Sequence, residues 1–157
     1  MVRCSSDTRL SRLSVKVILT QSDTTVGFLS QDEKKLQEIK QRDSAKPFIK
    51  VYKNFRTLLN SKQRVPQRFK NIVRRSNKTS FIIKNRSFRV ADISLNSQLL
   101  RDSTWHYSTS ANEANKNFNR EFCEKKTDII IENKDRLKEL SSSSLYKMNS
   151  VKRIKLR

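Results

Sequence analysis

Glycine is almost missing from this chain: Gly27 is the only one among 157 residues. A glycine-rich phosphate cradle, whether of the P-loop or the G-x-G-x-x-G type, is therefore excluded. Any nucleotide bound here must be held by side-chain cations, hydroxyls and ordinary backbone amides. Histidine is equally scarce. His106 stands alone, without a partner motif for a zinc site or a Ser-His-Asp triad, and reads as a strand residue near the surface. No tightly bound metal is expected. Cys4 and Cys123 lie far apart with no C-x-x-C spacing, which points to a reducing, cytoplasmic setting. No apolar run approaches the ~20 residues of a membrane span, so no membrane partner is expected. Arg3, Arg9 and Arg12 come without an apolar segment, which argues against a secretory signal; an Arg/Ser-rich transit peptide is the other reading of this stretch.

Positive charge is what the chain has in abundance. The formal net charge is +20. Residues 40–89 hold 16 Lys and Arg against one acid, Asp43, and so carry +15 of it. A field of that size attracts polyanions and is screened by salt, with RNA, ATP and other phosphates as natural partners. A solvated basic surface is the plainer alternative, but Arg42, Arg74, Arg75 and Arg89 sit among apolar residues rather than in polar tails.

The apolar fraction of 34% is low, yet it clusters in short β-branched runs that suit a folded core. Strands are predicted over residues 15–20, 47–52, 105–110, 127–132, 145–148 and 151–156, with a hairpin of 79–84 and 86–91 turning at Asn85. Helices are predicted over 32–41 and around Phe55, Leu58 and Leu59. Another opens at Pro66, with Phe69, Ile72 and Val73 as its stripe. Leu95, Leu99 and Leu100 fit a helix, Phe118 and Phe122 share another at i, i+4, and 135–140 forms a short one. This order predicts an α/β (mixed) fold: an open, twisted sheet of parallel and antiparallel strands flanked by helices. Residues 1–14 read as a basic lead and 15–157 as one domain.

Four segments carry a closer resemblance. Lys40, Arg42, Lys46 and Pro47 follow a K-x-R-x-x-x-K-P pattern. Ser108-Thr109-Ser110-Ala111-Asn112 gives S-T-S-A-N. Gln21-Ser22-Asp23-Thr24-Thr25-Val26-Gly27 is similar to a P-T-[DE]-T-x-Y-G segment, with Asp23, Thr24 and Gly27 matching. Arg89-Val90 is similar to V-R-[VI], with Phe88 at the first position. Together these resemble the YrdC-like family of threonylcarbamoyl-AMP synthases, in a shortened form over residues 15–157. The family's Pro-Gly-Pro element is replaced near Ser76-Asn77-Lys78, its Tyr by Val26, and its Ser-Gly after the S-T-S-A-N run by other residues.

The resemblance implies a YrdC-like fold and condensation of L-threonine, bicarbonate and ATP, with Mg2+ accompanying ATP, into threonylcarbamoyl-AMP for a tRNA modification. A tRNA threonylcarbamoyltransferase would be the downstream enzyme. It assigns Lys40 and Arg42 to catalysis, and Thr24, Ser80 and Ser143 to L-threonine. It assigns Lys46, Arg89, Ser108, Ser110, Asn112 and Arg157 to ATP. Strand alternation sets Arg89 opposite Phe88 and Val90, either in a site or toward solvent. Arg68, Lys70, Arg74 and Arg75 crowd one helix outside the motifs and are expected to face RNA. The replaced positions leave a second reading: a non-catalytic YrdC-fold protein binding double-stranded RNA or tRNA. A third is a small basic ribosome-associated protein whose motif matches are accidental.

Overall fold

The structure is a computed structural model and describes residues 15–41, 47–91, 100, 103–113, 116–132 and 137–157. Its frame is one nine-stranded sheet. The strands are β1 (Ile18–Gln21), β2 (Val26–Ser30), β3 (Ile49–Tyr52), β4 (Thr79–Ile83), β5 (Arg86–Val90), β6 (Trp105–Ser110), β7 (Ile129–Ile131), β8 (Ser144–Met148) and β9 (Arg153–Lys155). They lie in the order β7-β1-β2-β6-β3-β5-β4-β8-β9. Three pairings are parallel, β1 with β7, β3 with β5 and β4 with β8; the rest are antiparallel. The mixed α/β expectation holds.

Among the described residues four short helices accompany the sheet: α1 (Glu33–Lys40), α2 (Phe55–Asn60), α3 (Lys70–Arg75) and α4 (Arg120–Lys125). Side-chain caps start three of them. Asp32 accepts from the amides of Lys34 and Lys35, Asn54 from Thr57, and Asn119 from Phe122. Each cap satisfies amides that a helix end leaves open, a contribution of about 1 kcal/mol. The helix expected from Pro66 begins as a 3₁₀ turn, Gln67–Phe69, and becomes α-helical only at Lys70. The β4–β5 hairpin turns at Lys84 and Asn85, both with positive φ (48° and 61°), the signature of a two-residue turn whose twist matches the strands.

Helices and sheet bury two apolar clusters. One joins Leu36 of α1 and Cys123 of α4 to Leu19 and Phe28. The other joins Leu58 of α2 and Val73 of α3 to Phe81 and Phe88. Strand pairing puts Leu19 opposite Phe28 and Phe81 opposite Phe88, so both clusters draw on the same face of the sheet. The opposite face presents Gly27, Ile49, Ser87, Arg89 and Ser108, which line a cavity.

Several expectations are corrected. Residues 26–30 form β2, where the sequence suggested only a turn after β1. All five residues are buried, so the strand has no polar alternation to betray it. Phe118 lies before α4, because Asn119 caps that helix; it still packs on the first cluster. Residues 137–140 are not helical, although Leu137 reaches the core. The last strand is only Arg153–Lys155. His106 is buried, 3% exposed, rather than near the surface. Leu95 and Leu99 lie outside the described residues, while Leu100 is fully buried.

Candidate functional site

The face of the sheet that carries Arg89 holds a cavity of about 370 Å3. Its floor comes from the middle strands and its wall from the β1–β2 turn and the residues before β8, including Thr24, Ser143 and Arg157. Gly27 is needed here. A Cβ on it would stand 3.0 Å from the Thr109 carbonyl oxygen of the neighbouring strand β6.

Arg89 organises the site. Its guanidinium is buried and donates to four partners: Ser80 Oγ at 3.2 Å, Asp23 Oδ1 at 2.7 Å, Thr24 Oγ1 at 3.1 Å and Ser143 Oγ at 3.4 Å. Ser80 and Ser143 also share a hydrogen bond of 3.0 Å. A guanidinium has five N–H donors, so one remains beyond these four among the described residues. Asp23 Oδ2 is buried without a hydrogen-bond partner among them. The Asp23–Thr24 turn is itself held by Ser22, whose Oγ accepts from the amides of Thr24 and Thr25 and donates to the Thr25 carbonyl at 2.6 Å. Ser22, a substituted position in the matched segment, thus keeps a hydroxyl that shapes the turn.

Lys40 occupies a different place. It ends α1 with its side chain buried, and its ammonium donates to the Ser110 carbonyl at 3.1 Å, the Asn112 carbonyl at 2.6 Å and Asn112 Oδ1. Three acceptors match its three donors. Ser110 Oγ donates to Asn112 Oδ1 at 2.8 Å. Lys40 is therefore a positioning residue that folds residues 110–112 around one positive charge. Lys40→Met should lower stability by about 1.5–3 kcal/mol through the loss of hydrogen bonds made by a charged donor. Urea denaturation of the two proteins checks this, and an unchanged midpoint would refute it.

The sequence-derived residues thus divide into groups. Thr24, Arg89, Ser108, Ser110, Ser143 and Arg157 line the one cavity, and Ser80 stands behind Arg89. Lys40 and Asn112 support its edge. Arg42 and Lys46 lie outside the described residues. Arg68, Arg74 and Arg75 are exposed and Lys70 half-buried; none lines this cavity. Arg157 donates from Nε to the Ser143 carbonyl at 3.1 Å. The sequence pass missed Asp23 as a site residue, although it matched the motif. A carboxylate in a Ser-Asp-Thr turn is indistinguishable from an ordinary turn residue until its cation is known.

Arg157 and Arg89, the latter paired with Asp23, line the cavity, and among the described residues no Asp or Glu does. Their charge, with the Ser108, Ser110 and Thr24 hydroxyls, suits a phosphate or carboxylate ligand.

No family model and no curated protein sequence matches this chain. Solved structures do. Sua5 of P. abyssi, as its H234A/Y235A variant, superposes with a TM-score of 0.79 at 16% identity over 95% of this chain and 54% of Sua5. The same protein complexed with L-threonine gives 0.73 at 16% identity, over 90% and 50%. YciO of E. coli gives 0.75 at 14% identity, over 95% and 86%. Full-length HypF in a phosphate- and nucleotide-bound form gives 0.67 at 15% identity, over 95% of this chain and 28% of HypF. The class defined is a mixed α/β protein built on one sheet of parallel and antiparallel strands. In particular, the chain has the YrdC-like fold, and it spans about half the length of the Sua5 structures it matches.

Proposed function

We propose that this chain forms threonylcarbamoyl-AMP from L-threonine, bicarbonate and Mg-ATP, supplying the activated intermediate of a tRNA modification. The observation that carries the reading is the Arg89 cluster, a buried guanidinium that ties Asp23, Thr24, Ser80 and Ser143 into one wall of a cation-lined cavity. The fold shared with an L-threonine complex of Sua5 and a nucleotide-bound HypF supports it.

The chemistry needs no protein nucleophile. The threonine amine takes the carbon of bicarbonate with loss of water, and the carbamate oxygen then attacks the α-phosphate. Its P–O bond forms as the bond to pyrophosphate breaks. The protein supplies position and charge. Thr24, Ser80 and Ser143 are the hydroxyls assigned to threonine. Arg89, Arg157, Ser108 and Ser110 are assigned to ATP, with Asn112 and Lys46 at the edge. Arg42 is assigned to the charge that develops on the α-phosphate and on leaving pyrophosphate; Lys40, whose ammonium is engaged by Ser110 and Asn112, serves by holding that edge of the site. Mg2+ arrives with ATP, coordinated by phosphate oxygens and water. The setting proposed is the cytoplasm, with a tRNA threonylcarbamoyltransferase consuming the product.

The test is direct. Purified protein, labelled threonine, bicarbonate and Mg-ATP should release pyrophosphate together with a threonine-bearing AMP adduct. Arg42→Ala should lower kcat/KM by an amount equivalent to about 2–4 kcal/mol, the scale of a lost oxyanion donor. Pyrophosphate without the threonine adduct, or no turnover by a protein whose fold is intact, would overturn the reading.

A further inference from the structure

A second cavity, of about 330 Å3, opens on the helix-covered face of the sheet. It lies where the two apolar clusters leave a gap over β3, β5 and β6. Lys50 pairs across the sheet with Phe88 and Tyr107, on the face opposite Arg89. Its ammonium is 3.5 Å from the centroid of Trp105, 5.7 Å from Tyr52 and 5.8 Å from Tyr107. Arg86 lines the same cavity, as do the amides of Gln63 and Asn85. Burial, then the charge of Arg86, holds the Lys50 pKa below its ordinary value; an arriving anion would relieve both. Glu33 also lines the cavity; burial, then the nearby Glu33 carboxylate, holds the Tyr107 pKa above its ordinary value.

A third cavity adjoins this one, with Asn85 bordering both. Gln63 and Arg86 line the Lys50 cavity, whereas Arg64, next in the chain to Gln63, and Lys84, two positions before Arg86, line the next one. That cleft, of about 770 Å3, adds Arg68 and Lys147. A pocket with aromatic walls and paired amides thus leads into a cleft with four cations.

We propose that this double cavity binds single-stranded RNA, one unstacked base entering the Lys50 cavity and the flanking phosphates lying along the Arg64–Arg68–Lys84–Lys147 cleft. Each part matches a component of a nucleotide. Aromatic rings and a cation stack on or over a base. An amide offers donor and acceptor side by side, as a base edge requires and a phosphate does not. The cations meet the backbone. The cavity, of about 330 Å3, has room for a base, and a base held in a duplex cannot reach it without leaving its stack. An acidic peptide would satisfy the cations but would leave the amides and rings unused. Of the basic helix residues expected to face RNA, Arg68 belongs to this path, while Lys70, Arg74 and Arg75 stand outside it.

Trp105 is the single tryptophan, so its emission reports on Lys50. The experiment titrates the full chain with a ribo-octamer, a hairpin duplex of the same composition, AMP and polyglutamate. Anisotropy and tryptophan emission are followed across a salt series. The single strand should bind most tightly and shift Trp105 emission. Lys84→Glu with Lys147→Glu, both exposed positions, should flatten the log–log salt slope by roughly 1.4, two contacts at ~0.7 each for a single strand. Arg86→Gln should weaken the single strand by roughly fivefold or more. Adenylate formation should be unchanged in all of these, since none of the residues lines the Arg89 cavity. Its loss would implicate the proposed catalytic site instead and count against a separate RNA path. The proposal is overturned if the duplex binds as tightly as the single strand, if saturating RNA leaves Trp105 emission unmoved, or if the double variant keeps the wild-type salt slope. It is overturned equally if AMP alone gives the emission shift while RNA does not bind, which would mark a free-nucleotide site.

Discussion

Arg89→Ala is expected to destabilise the fold by about 3–5 kcal/mol, the largest effect of any single change to the site. The side chains of Arg89 and Asp23 are 6% and 5% exposed and 2.7 Å apart. Removing the cation strands a buried carboxylate, one of whose oxygens already lacks a partner among the described residues. It also takes a donor from Thr24, Ser80 and Ser143. Much of the cost is the penalty of the unpaired charge rather than the worth of the pair. Asp23→Asn in the Arg89→Ala background should therefore recover part of it, giving a double-mutant coupling of the same sign. Arg89→Lys should rescue poorly, because a point charge cannot serve four acceptors spread over a fork. Urea midpoints of wild type, Arg89→Ala, Asp23→Asn, the double variant and Arg89→Lys measure all of this. A loss below about 1 kcal/mol in Arg89→Ala would mean that water reaches Asp23, in line with an exposed ion pair.

The second large effect is a pH dependence from His106. Burial pushes its pKa down to about 4. Nδ1 has no partner among the described residues, while Nε2 meets Ser103 Oγ at 2.7 Å. The unfolded chain takes up a proton near pH 6.5, whereas the folded one resists until about 4. In that window the unfolded state binds more protons, so stability falls as pH falls from about 6.5 to 4 and this group contributes no further loss below that. The full amount is about 3 kcal/mol, from roughly 1.4 kcal/mol per pH unit over the shift. Carboxylates titrate at the acidic end as well. The informative quantity is therefore the difference between wild type and His106→Leu, measured by urea denaturation at pH 7.5 and pH 4. The two should converge as pH falls, because only wild type carries this proton uptake. Parallel pH profiles would show that His106 takes up its proton as readily in the fold as in the unfolded chain.

Much of the frame is legible in the chain. The hairpin at Asn85 follows from two β-branched and aromatic runs around a residue that tolerates positive φ. Helix α1 follows from Asp32 and the Leu36–Ile39 spacing. The site was partly legible. The matched motifs named Thr24, Ser108, Ser110 and Arg89, and all four line one cavity. What they did not convey is the division of labour between Lys40, which holds the edge of the site, and Arg89, which builds its wall. Motif spacing records which residue types recur, not which of two cations is enclosed by acceptors.

By itself the sequence determined local matters: a strongly basic chain without a glycine phosphate loop, short strands and capped helices, and Arg89 on the opposite side of β5 from Phe88. Near-neighbour sterics, capping and side-chain alternation act over a few residues, so they are written in a few residues. Tertiary structure alone decided which face each strand shows to the helices. It brought Asp23 to Arg89 across 66 positions and Lys40 to Asn112 across 72. It also closed His106 away from water and opened a gap between two helix clusters beside Lys50. Those outcomes depend on burial, and burial is a property of the assembled sheet and its helices that no short stretch of this chain specifies.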